Sequence, residues 1–284
     1  MDLGLAVSSG TADGVADSAV LLDAAAAAGL RARLIDWRAA GWDEVDAVLL
    51  HTPWDYTQDP QAFAGWLRSF PARTRVCNPY AAVAGNLHKS YLLGLAADGV
   101  PVPRTRLLRA GDPVDPAELR SAFGGSAVVA KPAVGAGGRG LCRLADVADL
   151  RSCPLVGADG RPLQDLVVQS FVPSIETAGE RSLVFIAGRP SHLVRKVAAD
   201  GEFRVQASYG GTEQRVELDG TAHRVARLLA PRVAGLAYAR VDYVLDEDGR
   251  PLVMELELTE PDLFLRHAPE AATRLVEHVI RSRR

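Results

Sequence analysis

The chain has 284 residues, more than one small core accommodates, so two or three lobes are expected. Its formal net charge of -3, with 24% charged and 48% hydrophobic residues, leaves no broad footprint for nucleic acid or an anionic membrane surface. Cys77, Cys142 and Cys153 lack C-x-x-C spacing, which argues against a disulfide framework or zinc site and for free thiols in a reducing cytoplasm. The start lacks a basic leader, and the run Ala24 to Ala28 is too short for a signal or membrane span.

The first segment, residues 1–80, reads as a small α/β unit. Leu3 to Val7 is a strand; Asp17 or Ser18 then caps a helix that stops at Gly29. Arg31 to Trp37 and Val45 to Leu50 are further strands. Asp59-Pro60 supplies an N-cap and an N1 proline for a helix to about Phe70, and Arg75 to Cys77 is a fourth strand. Strands alternating with helices imply a parallel sheet, whose ligands gather at the carboxyl ends of the strands. His51 to Tyr56 lies at such an end, which makes Trp54 and Asp55 candidate substrate contacts, with packing as the other reading.

The second segment, residues 81–165, begins with Asn86-Leu87-His88-Lys89, the expected start of a helix to Ala97. Lys89 is notable because the helix dipole prefers acids at that end. Ser126 to Lys131 reads as a strand followed at once by a glycine loop containing Gly135, Gly137, Gly138 and Gly140. Such a loop leaves backbone N–H groups free to wrap an anion, and Lys131 and Arg139 add positive charge. The same glycines satisfy G-x-G-x-x-G, so a nicotinamide or flavin enzyme is considered, but that fingerprint needs a helix next. The alternating Leu141 to Leu144 reads instead as a strand, making the loop a hairpin flap.

The third segment, residues 166–284, opens with the strand Leu166 to Val172, which carries Gln169 and Phe171, and a polar loop with Glu176 and Glu180. A two-residue turn at Gly188-Arg189 would set Arg181 opposite Lys196, a like-charge pair that an anion would reconcile. Arg204, ahead of Gly210-Gly211, is a candidate holder of a substrate carboxylate. Asp248-Gly249 between alternating apolar runs favours a two-residue hairpin loop that pairs Asp242 with Glu255 and Arg240 with Glu257. Those four side chains then share a face, with Val241, Tyr243, Met254, Leu256 and Leu258 on the other. Three carboxylates on one patch repel each other unless a cation sits among them, and with oxygen ligands only the natural candidate is Mg2+, which usually arrives with phosphates. A solvated strand face that is simply acidic is the other reading. Pro231 interrupts the expected helix from Thr221 to Leu236. The apolar terminal helix around Leu275, Val276 and Ile280 covers either the protein's own core or a second subunit, leaving a monomer or a homodimer.

Assembled in this order, the residues from about Lys89 to Asp262 resemble the ATP-grasp superfamily, with the first segment similar to the small α/β domain that precedes the grasp. The fold expected is therefore α/β and α+β, a small parallel-sheet domain followed by a two-lobed ATP-grasp fold. By that resemblance Lys89 and Lys131 contact nucleotide phosphates or the adenine edge, and Gly135 to Gly140 close over the triphosphate. Gln169, Phe171 and Val172 form the adenine hinge, Glu176 or Glu180 holds the ribose, and Arg181 and Lys196 meet phosphates. Asp242, Glu255 and Glu257 ligate two Mg2+ ions, with Mn2+ an alternative, and Arg240 stabilises an acyl phosphate. Glu255-Leu256-Glu257 departs from the Glu-x-Asn of glutathione synthetase and D-alanine:D-alanine ligase. Met254 to Phe264, with Trp54 to Tyr56, looks more like the cycloserine synthetase branch. The function implied is ATP-dependent ligation of a small-molecule carboxylate to a nitrogen, within one molecule or between two. A non-catalytic nucleotide-binding module is the reading of another class.

Overall fold

The computed structural model describes residues 1–9 and 16–282. Its first unit comprises β1 (Asp2–Val7), α1 (Ala16–Ala27), β2 (Arg31–Asp36), β3 (Ala47–Thr52), α2 (Pro60–Ser69) and β4 (Arg75–Cys77). The strands form a parallel sheet in the order β2-β1-β3-β4. β3 is apolar almost throughout and buried along its whole length, as a central parallel strand covered on both faces must be. Asp59 caps α2 by accepting from the Ala62 N–H at 2.9 Å, with Pro60 in the first turn, as expected. Asp17 and Ser18 do not cap α1; both lie within its first turn. Asp17 instead accepts from the backbone N–H groups of Leu265 and Arg266 at 2.8 and 2.9 Å, tying α1 to the carboxyl end of the chain.

Two short helices follow, α3 (Tyr80–Asn86) and α4 (Tyr91–Ala97). The single helix expected from Asn86 is therefore broken at the residues meant to start it. The cause is tertiary: the Lys89 N–H donates to the Ala133 carbonyl at 2.7 Å, and the Asn86 side chain bonds the backbone of Leu256 and Leu258.

The second sheet is built from β5 (Thr105–Leu108), β6 (Val128–Pro132), β7 (Cys142–Leu144) and β8 (Leu166–Ser170), ordered β5-β8-β6-β7, with α5 (Pro116–Phe123) packed on it. β6 and β7 pair antiparallel, Val128 opposite Leu144, so the glycine loop is a hairpin and no helix follows Gly140. The dinucleotide reading fails on this point. β8, taken from the sequence as the head of the third segment, pairs with β5 and β6 and so lies in the second sheet.

The third sheet is antiparallel. After α6 (Ser174–Ala178) it takes in β9 (Glu180–Ile186), β10 (Arg189–Val197) and β11 (Thr212–Val216), then α7 (Gly220–Val233), β12 (Tyr238–Leu245) and β13 (Pro251–Glu257). Its order is β11-β10-β9-β12-β13. Pro231 sits in the last turn of α7, which ends at Val233, short of the expected Leu236. The closing helix α8 (Pro269–Arg281) buries Ala271, Ala272, Leu275 and Val279 in one core with Leu3, Leu5 and Leu21 of the first unit and Val184 and Ile186 of β9. Its apolar stripe is thus covered within the chain. Asn78, fully buried, makes the same join with hydrogen bonds. Its Nδ2 donates to the carbonyls of Tyr238 and Leu258, both at 2.9 Å, and its Oδ1 accepts from the N–H groups of Ala237 and Tyr238 at 2.8 and 3.3 Å. No described helix is long and apolar enough to cross a membrane.

Candidate active site

The β12–β13 hairpin reaches its expected register by a different route. Asp246 N–H donates to the Arg250 carbonyl at 2.8 Å, so the loop holds three residues, Glu247 to Gly249, not two. Tyr243 consequently opposes Val253. A bulge at Met254 then restores the pairs Asp242 with Glu255 and Arg240 with Glu257. Met254 itself turns away from the main core, where it was expected, and packs with Ile175, Val205 and Val244.

Each carboxylate on this face meets a basic group. Asp242 binds Arg240 Nη2 at 2.8 Å, Lys196 Nζ at 3.5 Å and Ser182 Oγ at 2.5 Å. Glu255 binds Lys131 Nζ at 2.8 Å and Lys89 Nζ at 3.3 Å, and Glu257 binds Arg240. Burial resists ionisation of Asp242 and Glu255. Their basic neighbours outweigh it, holding Asp242 below its ordinary value and Glu255 down at about 2. For Glu257, burial and the charges of Asp242 and Glu255 outweigh Arg240 and push it up to about 7. Among the described residues no three acidic, His or Cys side chains form a ready metal cage. The donor chemistry nonetheless fits a hard divalent cation: all the donors are oxygens.

A cavity of about 610 Å³ opens over this face. At one end Phe171, Val172, Ile175, Val205 and Met254 make an apolar slot, with Arg143 3.8 Å from the Phe171 ring. Gln169 lies buried beside it, donating to Thr105 Oγ1 at 3.1 Å. The flap covers the middle: Lys89 Nζ donates to the Gly135 carbonyl at 3.0 Å, and Arg139 donates to the Trp54 carbonyl at 3.2 Å. Gly138 has φ +68°, a backbone conformation that favours glycine, and it lies against the Gln206 side chain and Tyr209 of the 206–209 turn.

Lys89, Lys131, Lys196, Glu180, Gln169, Phe171, Val172, Arg240, Asp242, Glu255, Glu257, Gly135, Gly137 and Gly138 all line this cavity, as do Trp54 and Arg204. Gly140, Gly210, Gly211, Asp55, Glu176 and Arg181 stand outside it. Asp55 is engaged by Trp37 Nε1 at 2.7 Å and by Arg38, and Glu176 by Arg143 at 2.5 Å on the surface. Arg204 pairs with Glu202 at 2.6 Å and stacks on Tyr209. The Arg181 placement follows from a bulge after a turn one residue earlier than expected; the turn alone shifts the pairing by two and keeps the face. Ala187 and Gly188 form that turn, both with positive φ, and the bulge near Ser191 shifts the register again. Lys196 therefore opposes Glu180, its ion-pair partner at 2.5 Å, and Arg181 opposes Arg195 on the far face, near Asp219 and Tyr243.

Sequence reasoning assigned no role to Glu260, Asp262, Arg266, Tyr56 or Tyr91, which also line the cavity. Arg266 joins Asp17, Asp262 and Glu213 at 3.0, 2.8 and 2.6 Å, linking the first unit to both edges of the site. The signal available was Glu260-Pro261-Asp262, acids placed just past the end of an acidic strand. Burial and the charge of Glu257 push Glu260 up to about 8. Glu257 and Glu260 bind protons more tightly folded than unfolded, so the stability they contribute is full below about pH 4.5 and is lost as pH rises through 7 and 8. The Tm of ligand-free protein is expected to fall between pH 5.5 and 8.5 in scanning fluorimetry, and Glu260→Gln to flatten that fall.

Comparison with known proteins agrees with this geometry. The family described as D-cycloserine synthetase DcsG, N-terminal domain, matches residues 3–78, and the prokaryotic glutathione synthetase ATP-grasp domain matches residues 117–261. The cycloserine biosynthesis protein DcsG of Streptomyces lavendulae is 31% identical over 282 residues, covering 92% of each chain. The crystal structure of D-cycloserine synthetase DcsG superposes with TM-score 0.83 at 27% identity, covering 100% of both chains. The D-alanine–D-alanine ligase of Bacillus anthracis shares the fold, with TM-score 0.70 at 17% identity over 100% of this chain and 97% of that one. The two antiparallel sheets facing across the cavity are therefore the lobes of a grasp, and the chain belongs to the ATP-grasp family as a ligase that forms carbon–nitrogen bonds.

Proposed function

We propose that the protein ligates a carboxylate to a nitrogen through an acyl phosphate, and that it does so within one small amino-acid derivative, as a cyclo-ligase. The observation that carries this reading is the end-to-end likeness to the cycloserine biosynthesis protein, first unit included, where the glutathione synthetase domain matches only residues 117–261. That protein belongs to cycloserine biosynthesis, and the cyclisation is carried over to this chain as a proposal.

The residues divide the work by chemistry. The apolar slot between Phe171 and Met254 takes the adenine, with Gln169 at its edge, and Glu180, which lines the cavity where Glu176 does not, takes the ribose. Lys89, Lys131 and Lys196, with the backbone N–H groups of Gly135 to Gly138, hold the phosphates. Asp242, Glu255 and Glu257 hold Mg2+, as two ions, with Mn2+ able to replace it. Bound there, the metal neutralises phosphate charge and orients the transferred group. The substrate carboxylate attacks the terminal phosphorus and ADP leaves; the nitrogen then adds to the acyl carbon, phosphate departs and an amide remains. Arg240, fixed between Asp242 and Glu257, is placed to stabilise the charge that develops on the acyl oxygens. Trp54 and Arg204 flank the substrate end, Asp55 holding the turn that carries Trp54. Little covalent chemistry is asked of the protein itself.

Release of ADP and phosphate from Mg-ATP, measured with amino acids singly and in pairs and with O-ureido-D-serine, tests this reading. Release with one compound alone supports cyclisation. Release only with pairs means a linear ligase, and release with none overturns the proposal. Lys131→Ala is expected to weaken ATP binding on the order of 10- to 100-fold, the usual cost of losing charge-assisted contacts. Calorimetric titration with AMPPNP checks this; unchanged affinity removes the assignment.

A further inference from the structure

Glu260 lies where the chain leaves β13 for the loop to α8, lines the cavity and is only 8% exposed. Every other acid lining that cavity has a lysine or arginine partner. Glu180 pairs with Lys196, Asp242 with Lys196 and Arg240, Glu255 with Lys89 and Lys131, Glu257 with Arg240, and Asp262 and Glu213 with Arg266. Among the described residues Glu260 has none. Its carboxylate interacts with the Tyr56 hydroxyl, and its main-chain carbonyl accepts from Trp54 Nε1 at 3.1 Å.

A buried carboxylate without a counter-ion is costly, and glutamine would fill the same space and keep the tyrosine bond at less cost. The acid, kept protonated by burial in the ligand-free protein, is therefore held ready to ionise beside a cation that the protein does not itself supply. Two kinds of cation are chemically open. A hard metal ion needs several oxygens, and Glu260 lies beyond the end of β13, off the hairpin face that Asp242, Glu255 and Glu257 share. The surroundings are instead aromatic: Trp54 and Tyr56 both line the cavity and both reach Glu260, and aromatic faces favour an organic ammonium.

We propose that Glu260, set by Tyr56 and Trp54, is the specificity residue that receives the protonated amine of the substrate. This rests on the ligase reading and narrows it. An N-acylated analogue, which has no positive charge, is rejected.

The test is calorimetric titration of the Mg-AMPPNP complex of the wild type and of Glu260→Gln with O-ureido-D-serine and with its N-acetyl derivative. The wild type is expected to bind the free amine and to bind the N-acetyl form at least tenfold more weakly. Glu260→Gln is expected to lose on the order of 10- to 100-fold for the free amine, with its N-acetyl affinity and its Mn2+ binding unchanged. Glu260→Asp, which keeps the charge, recovers part of the loss. Equal loss for both compounds, wild-type affinity in Glu260→Gln, altered Mn2+ binding, or no binding of the free amine by the wild type overturns the proposal. Glu260-dependent binding without ADP release would sink the ligase reading and leave this subsite standing; ADP release with a free-amine affinity indifferent to Glu260 would do the reverse.

Discussion

Glu255→Gln is expected to lower ADP release by about three orders of magnitude or more, the scale seen when preorganised charge is removed from a reacting centre. Glu255 is the residue through which two elements far apart in sequence meet: its carboxylate reaches Lys131 at the end of β6 and Lys89 ahead of α4. The amide keeps the size and one acceptor but drops the charge that the proposed metal and both lysines need. Steady-state ADP release with the far-ultraviolet dichroism spectrum as a fold control decides the matter. A variant that keeps a tenth of wild-type activity would falsify the metal-face assignment.

Asn78→Ala is expected to be the most destabilising single truncation outside the site. The side chain of Asn78 uses both donors and both lone pairs of Oδ1, so truncation leaves four backbone groups in a fully buried place without partners. At about 1 kcal/mol or more for each unsatisfied group, the loss is roughly 4 kcal/mol. Urea unfolding monitored by tryptophan fluorescence measures it. Asn78→Asp, which keeps the acceptor and loses the donors, should fall between the two, and a loss below about 1 kcal/mol for alanine would show that water replaces the amide.

The acidic face was readable in the sequence because strand alternation is a local rule, yet its register was reached through two departures that cancel. The loop is one residue longer than Asp248-Gly249 suggested, and the bulge at Met254 removes the offset. At Ala187-Gly188 the expected turn was one residue late, a slip that moves the pairing by two and keeps every face; the bulge near Ser191 then sent Arg181 to the other face and hid the Lys196–Glu180 pair. A shift of the pairing by one inverts every side chain of a strand, so the bulge, which no turn residue announces, decided the error. The flap hairpin was legible because Cys142 to Leu144 alternate. The break at Asn86 to Lys89 was not, because it is imposed by Ala133, Leu256 and Leu258, residues remote in sequence. Glu260 and Asp262 escaped notice for the same reason: they follow the last strand in a loop without periodicity, and only the fold brings them to the cavity.

The closure of each hairpin-face carboxylate by a lysine or arginine makes binding an exchange of partners. On the proposed roles, a triphosphate draws Lys89 and Lys131 away from Glu255, and a divalent cation takes the acid they release. Each ligand thus removes the competitor of the other, and thermodynamic linkage requires the benefit to be equal in both directions. Nucleotide affinity should rise with metal concentration by more than chelation in solution accounts for, and metal affinity should rise with nucleotide by the same factor. Once the terminal phosphate has left with the product, the lysines regain their acids, and the empty ligase returns to a self-neutralised state that holds ADP less tightly than ATP.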